Sequence, residues 1–284
     1  IRMSRYNVVQ AYMALGGIPF YMNFFNPSLS LAQNIDALFF ARNAKLGDEF
    51  NRLFNSVFDH AEESMQIVRV LGGRHAGYSR REIAEKTGIN PNGEFTKMLK
   101  ALIGSDFVCK YVPFGASSKE ECYKLTDPFC WFWLHFKESK RVSQEDYWQH
   151  HLRESEVAAW RGVAFEEVCL RHVKQIKQAL QIGAVSSTES AYVTKGDEKT
   201  EGMQIDLVID RNDDVVNLCE IKFSKSLYVI SQAYASRLAT RQETLEKSVR
   251  NKTFMLTYIG NSPLAENEYA DIFPCQLTSE DLFA

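Results

Sequence analysis

The chain lacks any apolar run approaching the length of a membrane span, and no secretory leader is legible ahead of its first helical pattern, so a membrane-spanning protein is not expected and a cytoplasmic one is. It has no Cys-x-x-Cys pair. The six cysteines, Cys109, Cys122, Cys130, Cys169, Cys219 and Cys275, are scattered through mostly apolar surroundings. They read as small buried hydrophobes in a reducing compartment, not as zinc ligands or a disulfide framework. There is no strong charge imbalance either: the net charge is -3 and the pI about 6.1, so any contact with nucleic acid must come from a local basic patch. Nor is there a Gly-x-x-x-x-Gly-Lys-Ser/Thr loop, or an apolar strand ending in paired acids near the amino terminus, to cradle nucleotide phosphates. What is present is a chain of 284 residues with 45% apolar content, long enough for two domains and a partial third.

The stretch from Met203 to Lys222 carries the strongest chemical signal. Met203 to Asp210 alternates apolar and polar residues, Val215 to Phe223 is rich in β-branched residues, and the polar Asn212, Asp213 and Asp214 between them predict a tight hairpin turn. Because strand side chains alternate with period two, Glu220 and Lys222 leave on one face, and the partner strand can bring Asp206 alongside. A lysine in an apolar strand has to be paired, and two carboxylates beside it repel unless a cation lies among them. Mg²⁺, which takes oxygen ligands and keeps several waters, suits Asp206 and Glu220 as metal ligands.

This arrangement resembles the PD-(D/E)xK nuclease superfamily, in which an Asp and a Glu-x-Lys on adjacent strands hold the metal; Ile205 stands where the motif has Pro. The resemblance implies catalytic roles for Asp206, Glu220 and Lys222, and for an acid on the preceding helix, matched here by Glu166. That helix is predicted over 160–181, with Val163, Val168 and Leu170 facing inward. A strand near 185–193, the hairpin 203–224, a helix near 228–249, a strand at 253–260 and a last strand near 273–277 follow, which resembles the superfamily's αβββαβ core. An exposed Asp and a Glu/Lys cross-strand pair are common in ordinary sheets; acid, spacing and element order together favour the nuclease-like site.

Residues 60–127 read as three helices and a β-hairpin, a winged helix-turn-helix pattern. Ser79 and Glu82 make a capping box, Gly88 ends that helix, and Phe95, Met98, Leu99 and Leu102 recur at helical spacing in the next. Glu94, Lys97 and Lys100 are left outward. Lys97 and Lys100 could meet DNA phosphates, but no base-reading Arg or Asn stands beside them, and a rigid spacer is the favoured reading. The aromatic run Phe129 to Phe136 reads as an interface rather than a base-stacking platform. Lys137 to Glu156 is a charged helical connector, and His150 and His151, as neighbours on a helix, point apart.

Near the amino terminus a helix is stopped by Gly16 and Gly17 and restarted after Pro19. With the segments Asn34–Ala41 and Gly47–Phe54, it resembles the end of the helical lid of AAA+/STAND-type ATPases of archaea and bacteria, in which a winged helix and a nuclease-like domain of the DUF234 type follow. The resemblance spans nearly the whole chain, and the start at Ile1 reads as that of a fragment. The expected fold class is multidomain α+β: a lid remnant (1–58), a winged helix (59–136), a connector (137–158) and an α/β restriction-endonuclease-like domain (159–284). The expected function is Mg²⁺-dependent hydrolysis of nucleic-acid phosphodiesters; the alternative is a non-catalytic DNA- or protein-binding regulatory module. Partners would be nucleic acid, DNA ahead of RNA, or a protein, with no membrane and with room for an oligomer. Lys225, Arg237 and Arg241 join Lys97 and Lys100 as candidate nucleic-acid contacts, within a basic set that also includes Lys174, Lys177, Lys247 and Arg250. ATP would enter only through an amino-terminal ATPase module. The chain should therefore show no micromolar affinity for ATP in calorimetry, and such affinity would show that residues 1–58 have been misread.

Overall fold

Ser4 and Gly16 set the ends of the first helix, α1 (Arg5–Leu15): the serine hydroxyl accepts the Asn7 amide and the glycine closes the helix in the left-handed region. These belong to a computed structural model that describes residues 3–138, 145–194 and 203–283. The chain divides into two units, one of Ile1–Tyr111 with Glu120–Ala164 and one of Val112–Lys119 with Phe165–Ala284. Part of the expected connector, residues 139–144, lies outside the described residues.

In the first unit Pro19 opens α2 (Pro19–Met22), and a capping box of Ser30 and Gln33 opens α3 (Leu31–Ile35), which runs on into a π-helical turn at Asp36–Phe40. Then follow α4 (Glu49–Val57), α5 (Ala61–Leu71), β1 (Tyr78–Ser79), α6 (Arg80–Thr87) and α7 (Gly93–Gly104). Both arms of the Ser79/Glu82 capping box form, and α7 buries Phe95, Met98, Leu99 and Leu102. β2 (Val108–Tyr111) and β3 (Cys122–Leu125) complete a three-stranded antiparallel sheet in the order β1-β3-β2.

The aromatic run forms α8 (Pro128–Phe132) and a π-helical turn at Trp133–Glu138; α9 (Tyr147–His151) follows. Phe129, Phe132, Trp133 and Phe136 are buried. Phe132 packs on Phe39, Phe40, Trp148 and Trp160, and Trp133 stacks on Phe50 with centroids 4.4 Å apart. These rings join the amino-terminal helices to the rest of the unit, so their faces are not open to bases. Asp36, also buried, accepts hydrogen bonds from the Trp148 and Gln149 amides and so caps α9 from a distant part of the chain.

The long α10 (Ser155–Arg171) ends in the second unit, and the helix predicted over 160–181 breaks at His172, whose Nδ1 lies 2.7 Å from the Val168 carbonyl oxygen. α11 (Val173–Ala179) follows. The inward face of α10 is corrected: Val168 is buried, Val163 and Leu170 are only half-buried, and Phe165, Glu167 and Cys169 are buried instead. A five-stranded sheet is built from β4 (Ser187–Thr194), β5 (Met203–Arg211), β6 (Val215–Lys222), β7 (Thr253–Gly260) and β8 (Cys275–Thr278), in that order. β4, β5 and β6 are antiparallel, and β7 runs parallel to both β6 and β8. The crossover helix α12 (Gln232–Ser248) starts later than predicted because Ser231 caps it, while Tyr228 pairs with Leu264 in an isolated bridge.

Val112–Lys119, the connection between β2 and β3, counts with the second unit: the Phe114 amide donates to the Ala191 carbonyl and its ring lies edge-on to Tyr192. The whole is a mixed α/β chain, and among the described residues no helix is long and apolar enough to cross a membrane.

Gly77 and Gly88 share the left-handed conformation, with φ of 72° and 73°. A Cβ on Gly77 would collide with the Tyr123 carbonyl, whereas one on Gly88 meets nothing. Gly88→Ala should cost about 1–2 kcal/mol from backbone strain alone, and Gly77→Ala markedly more; equal drops in melting temperature would contradict this reading.

Candidate functional site

The β5–β6 hairpin turns through Asp214, held at φ 62°, with Arg211 paired to Asp213. Its Cα register runs from Asp210↔Val216 to Leu207↔Cys219. One step further the ladder changes character: the Ile221 amide donates to the Asp206 side chain, to Oδ2 at 3.0 Å. Asp206 thus takes over a strand-pairing bond at the carboxyl end of β6.

Along β6, Val216, Leu218, Glu220 and Lys222 share one face by alternation, and the first two belong to the core packed under α12 with Leu238 and Leu245. The apolar stripe therefore runs straight into two charged residues. α12 answers with a matching stripe, because Tyr234, Leu238, Arg241 and Leu245 recur at helical spacing once Ser231 has set the phase. Glu220, whose side chain is only 5% exposed, accepts from Arg241 Nη1 on Oε1 at 3.0 Å, and on Oε2 from the Lys222 ammonium at 2.9 Å and the Tyr234 hydroxyl at 2.5 Å. The Lys222 nitrogen also lies 3.8 Å from Asp206 Oδ2. Asp206, Glu220 and Lys222 are thus brought together, with the ammonium between the two acids.

The charges balance: two carboxylates face two cations in a place with little water, which burial of either charge requires. Burial works against the Lys222 ammonium, but the charges of Glu220 and Asp206 outweigh it and raise its pKa well above the usual lysine value. Lys222 is therefore charged at neutral pH. Burial and the Glu220 charge likewise push the Tyr234 phenol up, so it serves as a neutral donor. Glu166 is half-buried on α10. The buried Cys169 thiol one turn along is raised by desolvation and then by the charges of Glu166 and Asp206, among others, so both acids lie within electrostatic reach of it.

The candidate nucleic-acid contacts divide. Lys97 and Lys100 are exposed on α7, Lys97 in an ion pair with Glu94. Lys225 is exposed just beyond β6, and Arg237 is exposed with its guanidinium 5.3 Å from the Tyr234 ring centroid. Arg241 is not an outward group: it is turned onto Glu220. Lys177 pairs with Glu189 and Lys247 with Glu243. Tyr234 and the inward role of Arg241 were not read from the sequence, although the spacing Tyr234, Leu238, Arg241, Leu245 places both on an apolar stripe and was the available signal.

Among the described residues no group of three or more His, Cys, Asp and Glu is arranged to hold a metal ion. Asp206 and Glu220 are nevertheless hard oxygen donors of the kind Mg²⁺ takes from one or two protein carboxylates, with waters or phosphates filling its shell. The position already holds positive charge, in the side chains of Lys222 and Arg241. The donor chemistry fits Mg²⁺.

No protein family model matches the chain, and no curated protein matches it. Among solved structures, protein VC1899 from Vibrio cholerae is similar at 10% identity with a TM-score of 0.31, over 89% of this chain and 57% of that one. At that score and identity nothing about fold or activity follows from the likeness.

The Glu220–Lys222 pair should show a coupling of about 1 kcal/mol or more in a double-mutant cycle of Glu220→Gln and Lys222→Met followed by chemical unfolding; simple additivity would make the contact incidental. Because folding raises the Lys222 pKa, its contribution is complete below the unfolded value of about 10.4 and is lost as pH rises through the folded value. The coupling should be the same at pH 7 and pH 9.

Proposed function

We propose that residues 159–284 form a PD-(D/E)xK nuclease-like domain that hydrolyses nucleic-acid phosphodiesters with Mg²⁺. They would be the carboxy-terminal part of an AAA+/STAND-type ATPase, with residues 1–58 as the end of its lid and 59–136 as a winged helix, working in the cytoplasm. The observation that carries this reading is the Lys222 ammonium lying between Asp206 and Glu220 on adjacent strands. Mg²⁺ held by Asp206 and Glu220 would supply Lewis acidity at the phosphoryl oxygen and a water of lowered pKa. Lys222, held beside both acids, is suited to steadying the negative charge that grows at phosphorus. Glu166 would help order the attacking side from α10. The exposed Lys225 and Arg237 would meet the flanking phosphates of DNA.

A second reading is favoured by a different observation. Both oxygens of Glu220 are already taken by Arg241, Lys222 and Tyr234, as in a site that has become a structural ion cluster. The chain would then be a non-catalytic DNA- or protein-binding regulatory module. For residues 59–136 the spacer role is supported by the Lys97–Glu94 ion pair, which leaves less free positive charge on α7.

Incubation of the full chain with labelled DNA and Mg²⁺ should give cleavage that EDTA stops and Lys222→Ala abolishes, with circular dichroism unchanged. DNA binding should weaken steeply with salt, in proportion to the phosphates contacted. Cleavage undiminished in the variant would remove Lys222 from the chemistry, and salt-sensitive binding without any cleavage would leave the regulatory module.

A further inference from the structure

The Glu220 carboxylate is already well supplied with partners. It is almost fully buried, and its two oxygens face three donors, of which Lys222 and Arg241 carry full charges. With Asp206 beside it, the charges of these four side chains sum to zero. A divalent cation added to this set would be unbalanced by two charges in a poorly hydrated place, which is costly. One side-chain cation has to leave.

Lys222 is the poorer candidate to leave. Its ammonium bonds Glu220 at 2.9 Å, lies 3.8 Å from Asp206 and sits 5.7 Å from the centre of the Tyr234 ring, so three neighbours hold it. Arg241 reaches Glu220 through a single N–H, from a long side chain that is 22% exposed. The neighbouring α12 residues Arg237, Thr240 and Thr244 are exposed, which gives the guanidinium a route into water. Once released there, its planar fork suits the two oxygens of a phosphate better than it suits one carboxylate oxygen.

We infer that Arg241 is an internal cation that occupies the metal side of Glu220 in the metal-free protein and must swing out for a divalent cation to load. This rests on the metal-binding reading above and adds to it a positioning residue that regulates occupancy. Arg241 and the metal compete for one carboxylate, so each weakens the other's hold by the same factor. The tyrosine hydroxyl, being neutral, can remain on Oε2 in either state.

The test is Mn²⁺ titration calorimetry on the full chain, comparing the native protein with Arg241→Gln and Arg241→Met, with Lys247→Gln as a control for loss of a helix cation and Glu220→Gln to locate the binding. Both Arg241 variants should bind Mn²⁺ about tenfold more tightly or better, equivalent to about 1.4 kcal/mol; Lys247→Gln should match the native protein, and Glu220→Gln should lose binding. Melting in EDTA gives a second readout: the Arg241 variants should melt lower than the native protein, since Glu220 has lost a cation, and saturating Mn²⁺ should return them to it. A purely structural Arg241 would show the first effect without the second. Native binding that the Arg241 variants leave unchanged overturns the competition while leaving the metal site in place. Absence of Mn²⁺ binding from native protein and variants alike overturns both, as does binding that survives Glu220→Gln. Variants unfolded in EDTA that Mn²⁺ does not restore also overturn the competition.

Discussion

A carboxylate on the central strand of a sheet has to be paired, and the arrangement around Glu220 follows from that requirement. It lies on β6 between β5 and β7, continuing a stripe that begins as ordinary core at Val216 and Leu218. An unpaired charge there would cost several kcal/mol. Lys222 from the same strand, and Tyr234 and Arg241 from the covering helix, meet that cost together. Because the two helix residues sit on the stripe that also carries Leu238 and Leu245, apolar packing holds α12 in the rotation that delivers its polar groups. The core and the polar cluster are two ends of one interface.

Asp206 solves a different problem with the same kind of group. Where strand pairing between β5 and β6 gives out, the Ile221 amide would be left without a carbonyl, and the aspartate side chain takes its place. The acid is therefore held by the backbone as well as by charge, which keeps it beside Lys222 and within electrostatic reach of Cys169. Burial first, and the charges of nearby acids after it, push the Cys169 and Cys219 thiols up and keep them protonated, so both act as apolar filler.

The first unit depends on rings rather than charges. Phe132, Phe136, Trp148 and Trp160 meet edge to face, and Phe39 and Phe40 pack into the same group from the π-helical turn after α3. Residues far apart in the chain converge on the aromatic run, which explains why so many rings lie so close together in the sequence. The buried Asp36, capping α9 across that core, is the polar counterpart.

Much was legible from local chemistry. Capping residues at Ser79 and Glu82, the glycine stop at Gly16, the buried face Phe95, Met98, Leu99 and Leu102, and the hairpin bearing Asp206, Glu220 and Lys222 all follow from periods of two or 3.6 and from side chains that satisfy nearby backbone groups. Those interactions span a few residues, so the sequence alone determines them. The partners of Glu220 were decided by tertiary structure. The spacing of Arg241 with Leu238 and Leu245 puts it on the apolar stripe of α12, but its carboxylate partner is set only by the β6–α12–β7 crossover, which lays that helix on the sheet at one rotation. The burial of Glu167 has the same origin, since packing sets the energy of that position, whereas the start of α12 at its Ser231 cap is a local feature.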